Sequence, residues 1–176
     1  MKVDVSQISE VPKEIRILEG IEDLNRIYPE GGSRDFRFPP FLDVKLVYYR
    51  SGREVFFQGW FEGTVEGTCS RCLKGYSFPI AKSFDFVLTP EPLPAKSKKL
   101  SHEELCLRFY SGEEINLSPF IQEEVLLVLP MRPLCDEHCR GLCAGCGVNL
   151  NIERCLCGSQ PGDPRMAFFR NFRFGR

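Results

Sequence analysis

Six of the chain's nine cysteines lie between Pro130 and Gly158, in the stretch PMRPLCDEHCRGLCAGCGVNLNIERCLCG. A core has no use for so many small hydrophobes in one short span, so the thiols imply either disulfides or a metal. The spacing favours metal. In Cys143-Ala-Gly-Cys146-Gly147 two residues separate the thiols, so both can face one ion. Gly145 and Gly147 free the backbone for the tight turn beneath them. Cys155 and Cys157 supply a second pair after the short Val148–Arg154 connection. Zinc takes four ligands in a tetrahedron, and its structural sites are commonly all-cysteine.

No apolar run follows Met1, where Lys2, Asp4 and Ser6 intervene, and no stretch is long enough to span a membrane. The expected setting is cytoplasmic, where stable disulfides are rare. An odd count of nine also leaves one thiol outside any pairing. With 176 residues, 43% of them hydrophobic, the chain can bury a real core. The formal charge of −1 argues against a basic coat for nucleic acid, and thiolates bound to zinc would make the chain more acidic still. Any RNA contact must therefore come from a local basic patch.

Along the chain, residues 2–8 alternate apolar and polar as a strand does, and 14–19 repeat the pattern. Residues 20–40 read as a loop with a helical turn at Ile21–Ile27. From Phe41 the signals sharpen. Phe41–Tyr49 is a strand, Ser51-Gly52 a turn and Glu54–Thr68 a long strand. Gly59, Gly63 and Gly67 within that strand suggest bulges or bends, as in a strongly curved sheet or partial barrel. Cys69-Ser-Arg-Cys72 is a turn and Tyr76–Leu88 the returning strand of an antiparallel meander. Residues 89–104, with their prolines and lysines, form a solvated loop. Leu105–Tyr110 alternates as a strand, with Cys106 as a core thiol. Ser118-Pro119 opens a helix over 118–129, with Ser118 as N-cap and Ile121, Val125, Val128 and Leu129 on one face. Glu123 and Glu124 fall in its early turns, where the helix dipole favours them. Pro130 ends it. Asp163-Pro164 opens a second helix, Pro164–Phe172. The division expected is a β-rich domain, 1–130, and a zinc-binding module with a terminal helix, 131–176.

With Cys106 set aside, eight cysteines remain, enough for two four-cysteine sites. Pairing neighbours puts Cys143, Cys146, Cys155 and Cys157 in one, and Cys69 and Cys72 with Cys135 and Cys139 in the other. Spacing leaves open a site that uses Cys135 and Cys139 with Cys143 and Cys146. Cys69-x-x-Cys72 also has the spacing of a redox dithiol, but that motif belongs at a helix start after a strand, and here strands flank it on both sides. Cys139, Cys143 and Cys146 match three-cysteine iron–sulfur spacing without the large α/β barrel such chemistry needs. His138 lies between candidate ligands and reads best as a loop residue, and His102 as solvent-facing. No phosphate loop, G-x-S-x-G or distinctive carboxylate pair is present. The tail interleaves Arg165, Arg170, Arg173 and Arg176 with phenylalanines. With Arg132, Arg140 and Arg154 these arginines make the candidate RNA-binding surface. The same periodicity equally suits a terminal helix with its phenylalanines on the core.

The segments CSRCL at 69–73, EEVLLVLPMRPLC at 123–135, CRGLCAGCGVNLN at 139–151, CLC at 155–157 and DPRMA at 163–167 resemble, in that order, the YceD family of large ribosomal RNA subunit accumulation proteins, which has plastid relatives. Ala144 stands where the family's knuckle usually has proline. The resemblance implies a role in accumulation of 23S rRNA, hence in large-subunit biogenesis, with no established enzymatic activity.

The combined expectation is an α+β chain, mostly antiparallel β, with one packed helix and a C-terminal cysteine-rich module holding two zinc ions per chain. Its first function is a non-enzymatic factor that binds 23S rRNA or a pre-ribosomal large-subunit protein. The alternatives are a metal-stabilised protein–protein adaptor without RNA contact and a thiol oxidoreductase using Cys69 and Cys72.

Overall fold

The computed structural model describes residues 1–28, 35–90 and 107–157. Its centre is an open sheet. Strand β1 (Lys2–Asp4) stands apart, and β2 (Lys13–Gly20), β3 (Phe36–Arg37), β4 (Phe41–Ser51), β5 (Glu54–Thr68) and β6 (Gly75–Thr89) follow. Then come β7 (Leu107–Phe109), β8 (Glu114–Asn116) and one α-helix, α1 (Ser118–Val128). The main sheet runs β2-β4-β5-β6-β7, with β3 paired to the far end of β5. Among the described residues the path is open, with β2 and β7 at its edges, so they form no closed barrel. β1 and β8 form a separate antiparallel pair.

Alternation explains one core. Val44, Leu46, Val55, Phe57, Phe61 and Leu88 are buried on one face, while Lys45, Gln58 and Asp85 face solvent. α1 covers that face with Ile121 and Val125, both fully buried, and Phe120 lies on Phe86 with ring centroids 5.1 Å apart. Val128 and Leu129 complete the contact. Leu129 has extended backbone, φ −74° and ψ 138°, as the residue before Pro130 must.

Several expectations are corrected. The first strand stops at Asp4, whose side chain accepts the Ser6 N–H and starts a short 3-10 turn over Val5–Gln7. The glycines of β5 mark no bulge, since pairing with β6 is unbroken from Val55↔Leu88 to Thr68↔Gly75. They make room instead. A Cβ on Gly59 would lie 2.1 Å from the Phe84 ring, and one on Gly63 would lie 2.5 Å from Leu42. β7 runs parallel to β6, for which the long connection after residue 89 leaves length for a crossover.

Ser118 is not the cap of α1. The N-cap is Leu117, without a side-chain bond, and the Ser118 hydroxyl is taken by the Met1 amino group. Glu123 and Glu124 lie beyond the first turn and act through ion pairs rather than the dipole. Glu124 is buried with Lys82 of β6 at 2.6 Å, and Glu123 meets Arg108 of β7 at 2.6 Å. The 89–104 loop beyond residue 90, Cys106, His102 and the helix expected over 164–172 lie outside the described residues.

Candidate metal centre

The β5–β6 hairpin ends in Cys69-Ser-Arg-Cys72. Its turn is closed by Cys69 N–H donating to Lys74 O (3.0 Å) and Leu73 N–H donating to Cys69 O (2.9 Å). Leu73 pays for this geometry with a left-handed φ of +58°. The turn at Cys143-Ala-Gly-Cys146 is built the same way. Cys143 N–H donates to Val148 O (2.8 Å), Gly147 N–H to Cys143 O (2.8 Å), and Gly147 has φ +75°. The chain therefore carries one knuckle twice, with glycine in the left-handed position in one copy and leucine in the other.

After α1 and Pro130 the chain crosses the tip of the hairpin. Ser70 N–H donates to Pro133 O at 2.8 Å. The Arg71 guanidinium donates to the carbonyls of Glu137 (3.2 Å) and Cys139 (3.0 Å). Gly141, at φ +74°, lets the returning chain approach Arg71 O, since a Cβ there would lie 3.2 Å away. These contacts carry Cys135 and Cys139 onto Cys69 and Cys72. The Sγ atoms of Cys69 and Cys139 are 3.7 Å apart, those of Cys72 and Cys135 3.6 Å, and all four lie within 4.8 Å of one another. Cys69, Cys72 and Cys139 are buried.

The second group forms within a single short segment. Cys143 and Cys155 have Sγ atoms 3.1 Å apart, Cys146 and Cys155 3.7 Å, and with Cys157 all lie within 4.8 Å. Cys146 is exposed and its three companions are half-buried. The structure thus gathers the eight thiols into the two sets that pairing of neighbours gives, and no set combines Cys135 and Cys139 with Cys143 and Cys146. His138 is exposed and joins neither; its backbone N–H donates to Asp136 Oδ1.

The chemistry of both sets suits a divalent cation. A tetrahedron of sulfurs at zinc–sulfur distance has edges of about 3.8 Å, close to most of the contacts above. Without an ion the thiols compete for one charge. Burial pushes the Cys69 thiol up, but backbone N–H groups of Cys135, Cys72 and Arg71 outweigh it and hold it at about 6. Burial, then hydrogen bonding to Cys72, pushes Cys135 up to about 12. In the second set the N–H of Cys146, then Cys155, lowers Cys143 to about 6. Hydrogen bonding to Cys146 and Cys155 pushes Cys157 up to about 12. A cation among the sulfurs would remove this competition and allow further thiols to ionise. Tyr76 packs on the first set with its hydroxyl buried and, among the described residues, without a hydrogen-bond partner, an orphaned donor beside the sulfurs. Burial, then the charges of Cys69 and Cys135, raises its pKa.

Arg132, Arg140 and Arg154 are exposed around these sets, whereas Arg165, Arg170 and Arg173 lie outside the described residues. Sequence reasoning missed Arg71 and the pair Asn149 and Asn151. A basic residue inside the first C-x-x-C was the only sign of Arg71. Cys69 and Cys72 occupy a hairpin turn and not a helix start.

Among the described residues no helix is long and apolar enough to cross a membrane. No solved structure matches the chain. A chloroplastic protein of Arabidopsis thaliana, described as large ribosomal RNA subunit accumulation protein YCED homolog 1, is 24% identical over 98% of this chain and 57% of its own length. An uncharacterized protein of Mycobacterium tuberculosis is 31% identical over 72% of this chain and 59% of its own. A Zea mays protein with the same description as the Arabidopsis one is 35% identical over 27% of this chain. The chain thus spans a little over half the length of the first two. The family described as "Large ribosomal RNA subunit accumulation protein YceD" matches residues 57–173, which include all eight clustered cysteines, and the chain belongs to that family.

Proposed function

We propose that the protein is a non-enzymatic zinc-binding factor in biogenesis of the large ribosomal subunit. It holds one zinc ion in each four-cysteine set and supports accumulation of 23S rRNA by binding that RNA or a pre-ribosomal large-subunit protein. Membership of a family described by its part in large ribosomal RNA subunit accumulation supports the ribosomal role. The observation that carries the metal reading is the convergence of eight thiols into two compact sets, one assembled across 70 residues of sequence.

In this reading Cys69, Cys72, Cys135 and Cys139 hold the first ion, and Cys143, Cys146, Cys155 and Cys157 the second. The ions supply folding free energy and fix the chain that presents Arg132, Arg140 and Arg154. Four thiolates fill a tetrahedron and leave no open position, which suits a structural role. The tail with Arg165, Arg170 and Arg173 would extend the basic surface.

Purified protein should carry close to two zinc ions per chain by elemental analysis. A single ion would remove the two-site division, and iron would remove zinc. If Arg170 and Arg173 touch phosphate, changing both to Glu should weaken binding to 23S fragments and flatten its salt dependence by about one unit of slope per lost contact. A folded, zinc-loaded double variant that binds as wild type does would favour the protein–protein adaptor.

A further inference from the structure

Asn151 belongs to the segment that links Cys146 to Cys155, yet its side chain reaches the other set. Its Nδ2 donates to Cys139 Sγ at 3.3 Å and to Asn149 Oδ1 at 2.8 Å. Its Oδ1 accepts the Arg140 N–H at 2.7 Å. Both amide hydrogens and the carbonyl are therefore engaged, although the residue lies at the surface. The segment around it is equally tied. Leu142 and Asn149 form an isolated bridge, Leu150 N–H donates to Gly141 O (2.9 Å), and Asn149 O accepts from Ile152 and Glu153. Gly141 in turn sits on Arg71 O, beside Cys72.

We infer that Asn151 is a positioning residue for the buried four-cysteine set and couples its ion binding to that of the exposed set. This rests on the reading that both sets hold metal. An amide N–H directed at a thiolate stabilises its negative charge and fixes its direction as a ligand, and such outer hydrogen bonds change metal affinity by about 10- to 100-fold. The donor is held in place by the segment strung between Cys146 and Cys155. An ion on those cysteines fixes that segment, and so fixes the donor to Cys139. By reciprocity, the buried ion favours the exposed one by the same factor.

The chemistry makes a choice that shape alone does not. Asn151→Asp has the same size and keeps an acceptor for Arg140, but puts a carboxylate against the Cys139 sulfur. Asn151→Ala removes the donor without adding charge. If the residue acts through its N–H on sulfur, Asp is the worse change; if it only fills space and holds the turn, Asp is the milder one.

The test uses the full chain loaded with zinc, a chromophoric chelator as competitor, and cadmium-113 substitution to read each site by its own resonance. Wild type should hold two ions. Asn151→Ala should weaken the buried site by about tenfold and shift its cadmium resonance. Asn151→Asp should weaken it further, because its carboxylate repels the Cys139 sulfur. Cys146→Ser should empty the exposed site and also lower affinity at the buried one. Wild type holding fewer than two ions would overturn the metal reading, and this inference with it. Wild type holding two ions while Asn151→Asp equals or exceeds Asn151→Ala at the buried site would overturn this inference alone. Should the Asp variant fail to fold, an Asn151→Ala protein with an unmoved buried-site resonance would overturn it as well.

Discussion

The two four-cysteine sets share a turn and differ in everything around it. Each starts from a C-x-x-C knuckle with the same two backbone hydrogen bonds and a left-handed residue after the second cysteine. The first set is buried and joins a hairpin of the sheet to the chain beyond the helix, with Cys69 and Cys139 separated by 70 residues. The second is exposed, and its Cys143–Cys155 contact spans 12 residues. Closing the longer span costs the unfolded chain about 1.5 kcal/mol more entropy. An ion in the buried set would therefore stabilise the fold more than one in the exposed set, before any packing is counted. The same coordination chemistry would act as a tertiary staple in one place and a local clasp in the other.

The largest effect should come from breaking the staple. Cys72→Ser should lower zinc content by one ion per chain and destabilise the protein by about 3 kcal/mol or more, on the order of 10 °C in Tm. Cys146→Ser should also release one ion but leave the unfolding of the sheet much closer to wild type. Scanning calorimetry with metal analysis checks both. Equal losses of Tm would end the distinction between the two sets.

A smaller effect concerns pH in the metal-free chain, where the two sets should behave alike. Cys69 and Cys143 are held at about 6, below the usual thiol value, so the stability they contribute is present above about 9 and is lost as pH falls through 6. Cys135 and Cys157 are raised to about 12, so their contribution is full below about 9 and is lost as pH rises through 12. Stability should peak near pH 9 and fall on both sides. With zinc bound, acid should release the metal instead, since protons compete for the thiolates. Denaturant titrations over pH 5 to 11 would show it, and a flat apo profile would count against the clustered thiols.

The smallest effect separates the knuckles by their left-handed residue. Gly147→Leu should cost about 1 kcal/mol, because a side chain must then adopt φ +75°. Leu73→Gly relieves the same strain but adds freedom to the unfolded chain, so it should change stability by less than about 0.5 kcal/mol. Leu73 is well exposed, so little packing is lost. A large loss at Leu73 would mean that its side chain has a role of its own.

Much of the fold was legible in short-range pattern. β5 runs over Glu54–Thr68 as alternation predicts, β6 differs from expectation by a residue at each end, and α1 stops before Pro130. The knuckle at Cys143 was legible because glycine marks its left-handed position. The one at Cys69 was less so, because Leu73 hides the same geometry. Asn151 carried no signal: its partner Cys139 is twelve residues away and belongs to the other set.

What the sequence determined by itself is local chemistry: a donor set of metal type, strands of period two, and a helix bounded by two prolines. These depend on neighbours a few residues apart, whose physics is the same in any fold. The tertiary structure alone decided the rest. It gave the glycines of β5 to Phe84 and Leu42 instead of bulges, because ring and backbone meet only across paired strands. It drew Glu124 into a part-buried pair with Lys82 and the Ser118 hydroxyl to Met1. It also turned β7 parallel to β6. The partners of Cys69 and Cys72 were settled by the hairpin tip meeting the chain beyond the helix, through Ser70, Arg71 and Gly141. Spacing fixes which thiols are neighbours in sequence, and only a closed long-range contact fixes which ones share a site.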